Sequence, residues 1–407
     1  MRCRHCDKVL GTDFCDLGFA PPSNAYLPAD RLNHPEVHYP LRVKVCDQCW
    51  LVQTEDYARA EDLFDADYAY FSGTSSSWLS HAAQYAETIT NRLALGRESL
   101  VIEVASNDGY LLKNFVSAGI ACLGIEPTAS TAAAAESLGI PVLREFFGEH
   151  LGRQLATDGQ QADLIAGNNV YAHVPDINDF TRGLAAALKP EGTVTLEFPH
   201  LVPLIEHTQF DTIYHEHFSY LSLTAVLSIF AAADLRVYDV EQLPTHGGSL
   251  RVYGCRADAE IAATSRVGAL LEREKQFGIT RIATYVAFQE RADRVKNDFL
   301  HFLIGEKRAG RRVAAYGAAA KGNTLLNYAG VRPDLLPYVC DAAASKQGRF
   351  MPGSHIPIRS PEVLREDPPD TVLILPWNIA QEVCGQLADL VAMGTRFMTA
   401  VPELRFL

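Results

Sequence analysis

SLVIEVASNDGYLLKNFVSAG, residues 99–119, decides the fold. A short apolar, β-branched run ends at the acidic Glu103, a turn of small and polar residues with one glycine follows, and an amphipathic helix closes at Gly119. The same alternation continues downstream. ACLGIEP (121–127) reads as a strand ending at Glu126, TAAAAESLG (131–139) as a helix, and PVLREFF (141–147) as a further extended segment. ADLIAGNNV (162–170) is another strand, followed by a helix through INDFTRGLAAALKPEG (177–192) and a strand, TVTLEFP (193–199). Repeated β-α units predict a parallel, doubly wound sheet. Ligands of such sheets sit at the carboxyl ends of the strands, where Asn107, Glu126, Asn168, Asn169 and Glu197 fall.

The turn at 103–109 lets a ligand approach the backbone with a helix N-terminus behind it. No GxGxxG is present. An acid follows Glu103 at Glu126, near the ~20-residue spacing at which a ribose diol is held. The plainer alternative is an ordinary strand–helix turn, which any doubly wound fold contains.

The segments on either side differ from this centre. The first sixty residues hold five of the nine cysteines, with Cys3-x2-Cys6 and Cys46-x2-Cys49 as two knuckle-like pairs. Two such turns offer four thiolates to one tetrahedral zinc, which leaves the ion no open position and makes it structural. Buried cysteines or a redox pair are the alternatives. Beyond a helical stretch at 257–310, RRVAAYGAAAKGNTLLNYAG (311–330) reads as strand, glycine turn and helix. LPYVCD, TVLILPWN and MTAVPE add further strands, so a second, smaller Rossmann-type unit is expected over 311–407. Its turn can present backbone N–H groups and Lys321 to a phosphate. A structural glycine turn is the alternative, and the spacing is not that of a Walker loop. The expected division is therefore 1–65, 66–256, 257–310 and 311–407.

Composition sets limits on function. The chain has 407 residues, 48% hydrophobic and 21% charged, which describes a globular protein with ample core. Its formal net charge of -13, without Lys/Arg runs, argues against nucleic-acid and membrane-surface partners. The start MRCRHC has no apolar signal region, and scattered single cysteines point to a reducing cytoplasm.

YHEHFSY, residues 214–220, gathers proton-handling groups. It reads as a metal site, as a general base with its orienting partner, or as a polar surface loop. If extended, it places 214 and 216 on one side and 215 and 217 on the other.

EVASNDG with GIEP resembles the cofactor loop of class I methyltransferases, which use S-adenosylmethionine. CxxC…CxxC, GNNVYAHVPD, YHEHFSY, THGGSLR, AYGAAAKGNTLLN and the 340–358 run extend the resemblance to essentially the whole chain. The family resembled is the sugar C-methyltransferases acting on nucleotide-linked 4-keto-deoxyhexoses. One departure from the generic motif is Ala105, where glycine is usual. The resemblance implies an α/β fold: a class I methyltransferase (Rossmann-like) centre, an N-terminal zinc-binding lobe and a C-terminal Rossmann-like domain that holds the nucleotide-sugar. It implies that Glu103, Ser106, Asn107, Asp108, Gly109, Glu126 and Asn168 hold S-adenosylmethionine. It places Asn169, Tyr171, Lys321, Asn323 and Asp341 against substrate, a dTDP-linked keto-deoxysugar methylated at C-3 in deoxysugar and antibiotic biosynthesis. Methylation at carbon needs an enolate, and the resemblance makes His217 its base, with Glu216, Tyr214, Tyr68 and His173 assisting. It further implies a monomer. An O- or N-methyltransferase, or a non-catalytic metabolite sensor with a zinc lobe, are the rival readings.

Overall fold

The computed structural model describes residues 1–55, 57 and 72–407. The N-terminal lobe opens with three antiparallel strands, β1 (Thr12–Ala20), β2 (Tyr39–Val45) and β3 (Val52–Thr54). Two matched turns accompany them, one before β1 and one between β2 and β3. Asp7 N donates to Cys3 O and Cys3 N to Lys8 O; Trp50 N donates to Cys46 O and Cys46 N to Leu51 O, at 2.8–3.0 Å throughout. Both residues that follow the second cysteine, Asp7 and Trp50, are left-handed at φ 59° and 62°. This twin geometry brings the sulfurs of Cys3, Cys6, Cys46 and Cys49 within 4.8 Å of one another. Cys3–Cys49 and Cys6–Cys46 are each 3.5 Å apart. Zinc–sulfur bonds of about 2.3 Å in a tetrahedron require sulfurs about 3.8 Å apart, so the four thiols fit the ion. Gln53 Nε2 also donates to Cys3 Sγ at 3.2 Å, an outer-shell bond of the kind that orients a ligand.

The central sheet begins with β4 (Leu100–Val104), β5 (Ala121–Ile125), β6 (Val142–Leu143), β7 (Ala162–Asn168) and β8 (Leu188–Pro199), all parallel. The helix expected over 177–192 spans Ile177–Ala187 instead, because Leu188 already pairs with Ala162 and starts β8. Next in the chain, β9 (Ser219–Tyr220) leaves the central unit and pairs antiparallel with β3. The lobe's sheet, ordered β1-β2-β3-β9, therefore borrows its last strand from beside the YHEH run. Two strands, β10 (Leu235–Leu243) and β11 (Ser249–Arg256), then complete the central sheet in the order β10-β11-β8-β7-β4-β5-β6. β11 runs antiparallel to both of its neighbours. The strand order reverses between β4 and β7, which is where a doubly wound sheet opens its ligand crevice.

Helices Ser265–Phe277, Ile282–Val286 and Phe288–Arg308 lead to the third sheet. It comprises β12 (Val313–Tyr316), β13 (Val339–Cys340), β14 (Ile358–Arg359), β15 (Thr371–Ile374), β16 (Arg396–Thr399) and β17 (Arg405–Phe406), in the order β14-β13-β12-β15-β16-β17. All pair in parallel except β17. The two loops that diverge at its switch point touch. Gly317, left-handed at φ 92°, follows β12, and a Cβ there would lie 2.3 Å from Pro376 after β15.

One apolar core joins lobe and C-terminal unit. Phe14, Val43 and Val52 share it with Phe288, Phe299, Leu325 and Val339, and Phe14 stacks on Phe288 at 4.3 Å. The four cysteines pack instead into the core of the central sheet. The lobe is thus wedged between the two larger units. Among the described residues no helix is long and apolar enough to cross a membrane.

Candidate active site

At the carboxyl ends of β4, β5 and β7, the turn after Val104 runs through Ala105 (φ 57°), Asn107 (φ 50°) and Gly109 (φ 77°). These left-handed residues fold the loop back onto β5, where Ser106 N donates to Ile125 O at 3.2 Å. Glu126 fastens it: Oε2 accepts from Asn107 N and Oε1 from Thr128 N, both at 2.9 Å. Each carboxylate oxygen keeps a second lone pair for a ligand hydroxyl. Asn107 Oδ1 and Asp108 Oδ2 accept from Ser72 N and Gly73 N at 2.9 Å, so these two side chains tether the segment above the site. Asp108 Oδ1, Ser106 Oγ and both amide atoms of Asn168 are buried and lack hydrogen-bond partners. Orphaned polar atoms at a strand-end crevice are what a polar ligand satisfies, and this donor set fits S-adenosylmethionine. Glu103 is wholly buried in β4, and that burial pushes its carboxyl well above the usual range while Tyr110 opposes the shift.

Ala105 carries a Cβ in a conformation that costs about 1–2 kcal/mol relative to glycine. Ala105→Gly should raise stability by about 1 kcal/mol, or ~2–4 °C in the thermal midpoint of a domain this size. An unchanged or lower midpoint in calorimetry would remove strain from the account of this loop.

The YHEH run is a turn, not an extended segment. His217 N donates to Tyr214 O at 2.9 Å, which brings the two rings together, tilted by 33° with centroids 3.9 Å apart. His173 closes from the side at 4.6 Å and Tyr220 at 6.0 Å. His217 Nδ1 lies 2.8 Å from Thr212 O. A carbonyl only accepts, so Nδ1 bears the hydrogen and Nε2 the free lone pair. Burial, and then the nearby His173, hold the His217 pKa well below its ordinary value. Burial likewise takes His173 down to about 4. Glu216 turns away from His217: its Oε2 accepts from Asn24 Nδ2 of the N-terminal lobe at 3.2 Å, and burial raises it to about 7. His215 Nε2 sits 3.2 Å from Pro40 O and its ring packs against Tyr39, so it is a structural histidine. Among the described residues the metal-binding geometry belongs to the four cysteines, not to this run. Tyr68 lies outside the described residues.

From the C-terminal unit, Lys321 Nζ donates to Asn378 Oδ1 at 2.9 Å and sits 4.5 Å from the Trp377 ring. Trp377 Nε1 in turn donates to Asp211 Oδ2 at 2.7 Å, one residue before Thr212. Burial lowers the Lys321 pKa to about 8 and raises that of Asp211 to about 6. The lysine charge acts on His217 and His246, so Lys321 joins the imidazole cluster instead of forming a site apart. Asn323 Nδ2 donates to Ser23 O at 2.5 Å and keeps a buried, unpartnered Oδ1. Asp341 holds its own loops, accepting from Ala318 N at 2.7 Å and Ala343 N at 2.8 Å. Tyr171 needs a correction. It is fully buried among Phe180, Phe198 and Phe230 with its hydroxyl on Thr181 at 2.8 Å, a core position that meets no ligand.

Comparison with known proteins matches this arrangement along the chain. Family models describing a zinc binding domain, a methyltransferase domain and a C-methyltransferase C-terminal domain match residues 3–64, 78–240 and 244–402. The C-methyltransferase NovU of Streptomyces niveus is 34% identical over 403 residues, covering 99% of this chain and 96% of that protein. The chain belongs to the C-methyltransferase family. Solved structures similar to it include magnesium protoporphyrin IX methyltransferase of Synechocystis PCC 6803 with bound SAM, at 14% identity and TM-score 0.33, covering 44% of this chain and 81% of that one. An S-adenosylmethionine-dependent methyltransferase of Clostridium acetobutylicum is similar at 8% identity and TM-score 0.35, covering 44% and 92%.

As an S-adenosylmethionine-dependent C-methyltransferase, the chain has the α/β class I fold, zinc-binding lobe and C-terminal unit expected from its motifs. Several residues of its site escaped sequence reading. Asn24, Asp211 and Trp377 carry no motif of their own, and their side chains meet the site only through packing between units. His246 stood inside the THGGSLR run, whose glycines signalled a turn without indicating what the turn faces.

Proposed function

We propose that this C-methyltransferase methylates carbon 3, next to the ketone of a dTDP-linked 4-keto-deoxyhexose, through an enolate. The observation that carries the reading is the state of His217: desolvated, neutral, its tautomer fixed by Thr212, and its Nε2 lone pair free. A heteroatom acceptor brings its own lone pair, whereas a C–H becomes a nucleophile only once a base has taken its proton. Tyr214 and His173 line the base, and Lys321 supplies the positive charge that suits a sugar diphosphate. S-adenosylmethionine, when bound, supplies the electrophilic methyl group. Asn168 and Ser106 offer it their unpartnered atoms, and Glu126 offers acceptors to its ribose.

The test is turnover with the dTDP-keto-sugar and cofactor carrying a 13C methyl group, read by NMR. A new carbon–carbon coupling at C-3 is expected, and a methyl group on oxygen or nitrogen would overturn the reading. For the cofactor, Glu126→Ala should weaken binding roughly tenfold or more, since hydrogen bonds to a charged acceptor are worth about 1.5–3 kcal/mol. Calorimetry showing unchanged affinity would move the ribose site elsewhere.

A further inference from the structure

We propose that His246 is a further catalytic residue, donating its Nδ1–H to the ketone oxygen of the substrate as the adjacent carbon loses its proton to His217. This rests on the carbon-methylation reading above. His246 lies in the turn between β10 and β11, at φ 53° and ψ 21°, a conformation disfavoured for a residue with a Cβ. Such strain persists only where the surroundings over-determine it, and it concentrates at functional sites. Here the surroundings are visible. A Cβ on the next residue, Gly247, would lie 2.3 Å from the Trp377 ring, so that ring presses directly on the turn. Gln209 Nε2 holds the Gly247 carbonyl at 2.8 Å, and Thr245 Oγ1 is anchored to Glu197 at 3.0 Å.

The ring's chemistry is fixed as firmly as its backbone. Asn169 Nδ2, just past the carboxyl end of β7, lies 3.1 Å from His246 Nε2. An amide nitrogen only donates, so Nε2 accepts and Nδ1 carries the hydrogen. On one side Trp78 packs against the imidazole at 5.2 Å and against Tyr110 of the cofactor loop at 5.9 Å. On the other, Trp377 links the turn to Lys321 and Asp211. His246 therefore stands between the cofactor loop and the His217 cluster. Burial and the Lys321 charge keep it neutral, with a pKa down to about 4. A neutral imidazole held as an N–H donor is an established way to polarise a carbonyl.

The step balances within these groups. The proton on carbon passes to His217 Nε2, the C–H electron pair becomes the new C=C bond, and the carbonyl π pair moves onto oxygen. The oxygen, now negative, is held by the His246 Nδ1–H, which is not itself transferred.

The experiment measures hydrogen exchange at C-3 of a dTDP-4-keto-deoxyhexose in D2O with S-adenosylhomocysteine present, alongside methyl transfer. His246→Ala should slow both by at least ~10²-fold, the scale of losing one oxyanion donor, with unchanged affinity for S-adenosylhomocysteine. His246→Asn tolerates the left-handed backbone and keeps a donor near the Nδ1 position, so it should recover tenfold or more of that loss. Wild-type exchange in His246→Ala, no recovery in His246→Asn, or an equal loss of cofactor affinity would each overturn the proposal. A wild-type enzyme that neither exchanges nor forms a C–methyl product removes the enolate reading itself.

Discussion

His217→Asn should lower methyl transfer by at least ~10²-fold while both ligands still bind, because asparagine keeps a polar group but is too weakly basic to take a carbon-bound proton at neutral pH. The measurement is single-turnover methylation beside calorimetric affinities. Near-normal turnover would pass the base role to Tyr214 or Tyr68. The pH profile gives a second check. His217 is buried and held well below its ordinary pKa, so its unprotonated form persists as pH falls through 6.5. The acid limb of kcat/KM assigned to this group should accordingly lie below that value, and a limb at or above 6.5 that disappears in His217→Asn would contradict the burial argument.

Removing the zinc should have an equally large effect, and not only on the lobe that binds it. Structural zinc contributes about 10–16 kcal/mol of apparent binding energy in small metal domains, and here the four thiolates converge on one point between the two knuckles. A direct line runs from the metal to the base. Gln53 donates to Cys3, and its neighbour Thr54 donates through Oγ1 to the His217 carbonyl at 3.2 Å and through its backbone N to Phe218 O at 3.2 Å. Chelation or Cys46→Ser should therefore remove hydrogen-exchange protection from residues 1–55 and from 214–220 together, and methyl transfer should fall with it. Metal-free protein with native protection and turnover would sink this prediction. Loss confined to residues 1–55 would break the link to His217.

The central sheet was legible in the sequence because buried parallel strands read as short apolar runs and their carboxyl-end turns as small polar residues. The zinc knuckles were legible because two CxxC turns have few other uses. What the residues alone hid was orientation. YHEH looks extended until the His217–Tyr214 hydrogen bond makes it a turn, and that turn sends Glu216 to Asn24 and away from the imidazole it adjoins. Tyr171 sits in a motif-rich run, yet its ring faces the core, a matter of packing that no short pattern encodes. Lys321 looked like part of a separate phosphate turn because nothing local says that helix Ala320–Tyr328 docks on residues 210–213, as the Thr324 Oγ1 bond to Ile213 O does at 2.8 Å.

The pairing of β3 with β9 also bears on how the chain is made. The N-terminal sheet cannot close until residue 220 has been synthesised, well over a hundred residues after its first three strands leave the ribosome. Through that interval β3 presents an unpaired edge, the kind of surface that invites wrong partners. Long-range closure of this sort slows folding, since the intervening loop must be ordered before the pairing rewards it. A fragment ending before β9 would keep both knuckles but not a complete sheet. The zinc lobe is in this sense not a detachable module: its sheet waits for a strand supplied from the middle of the chain.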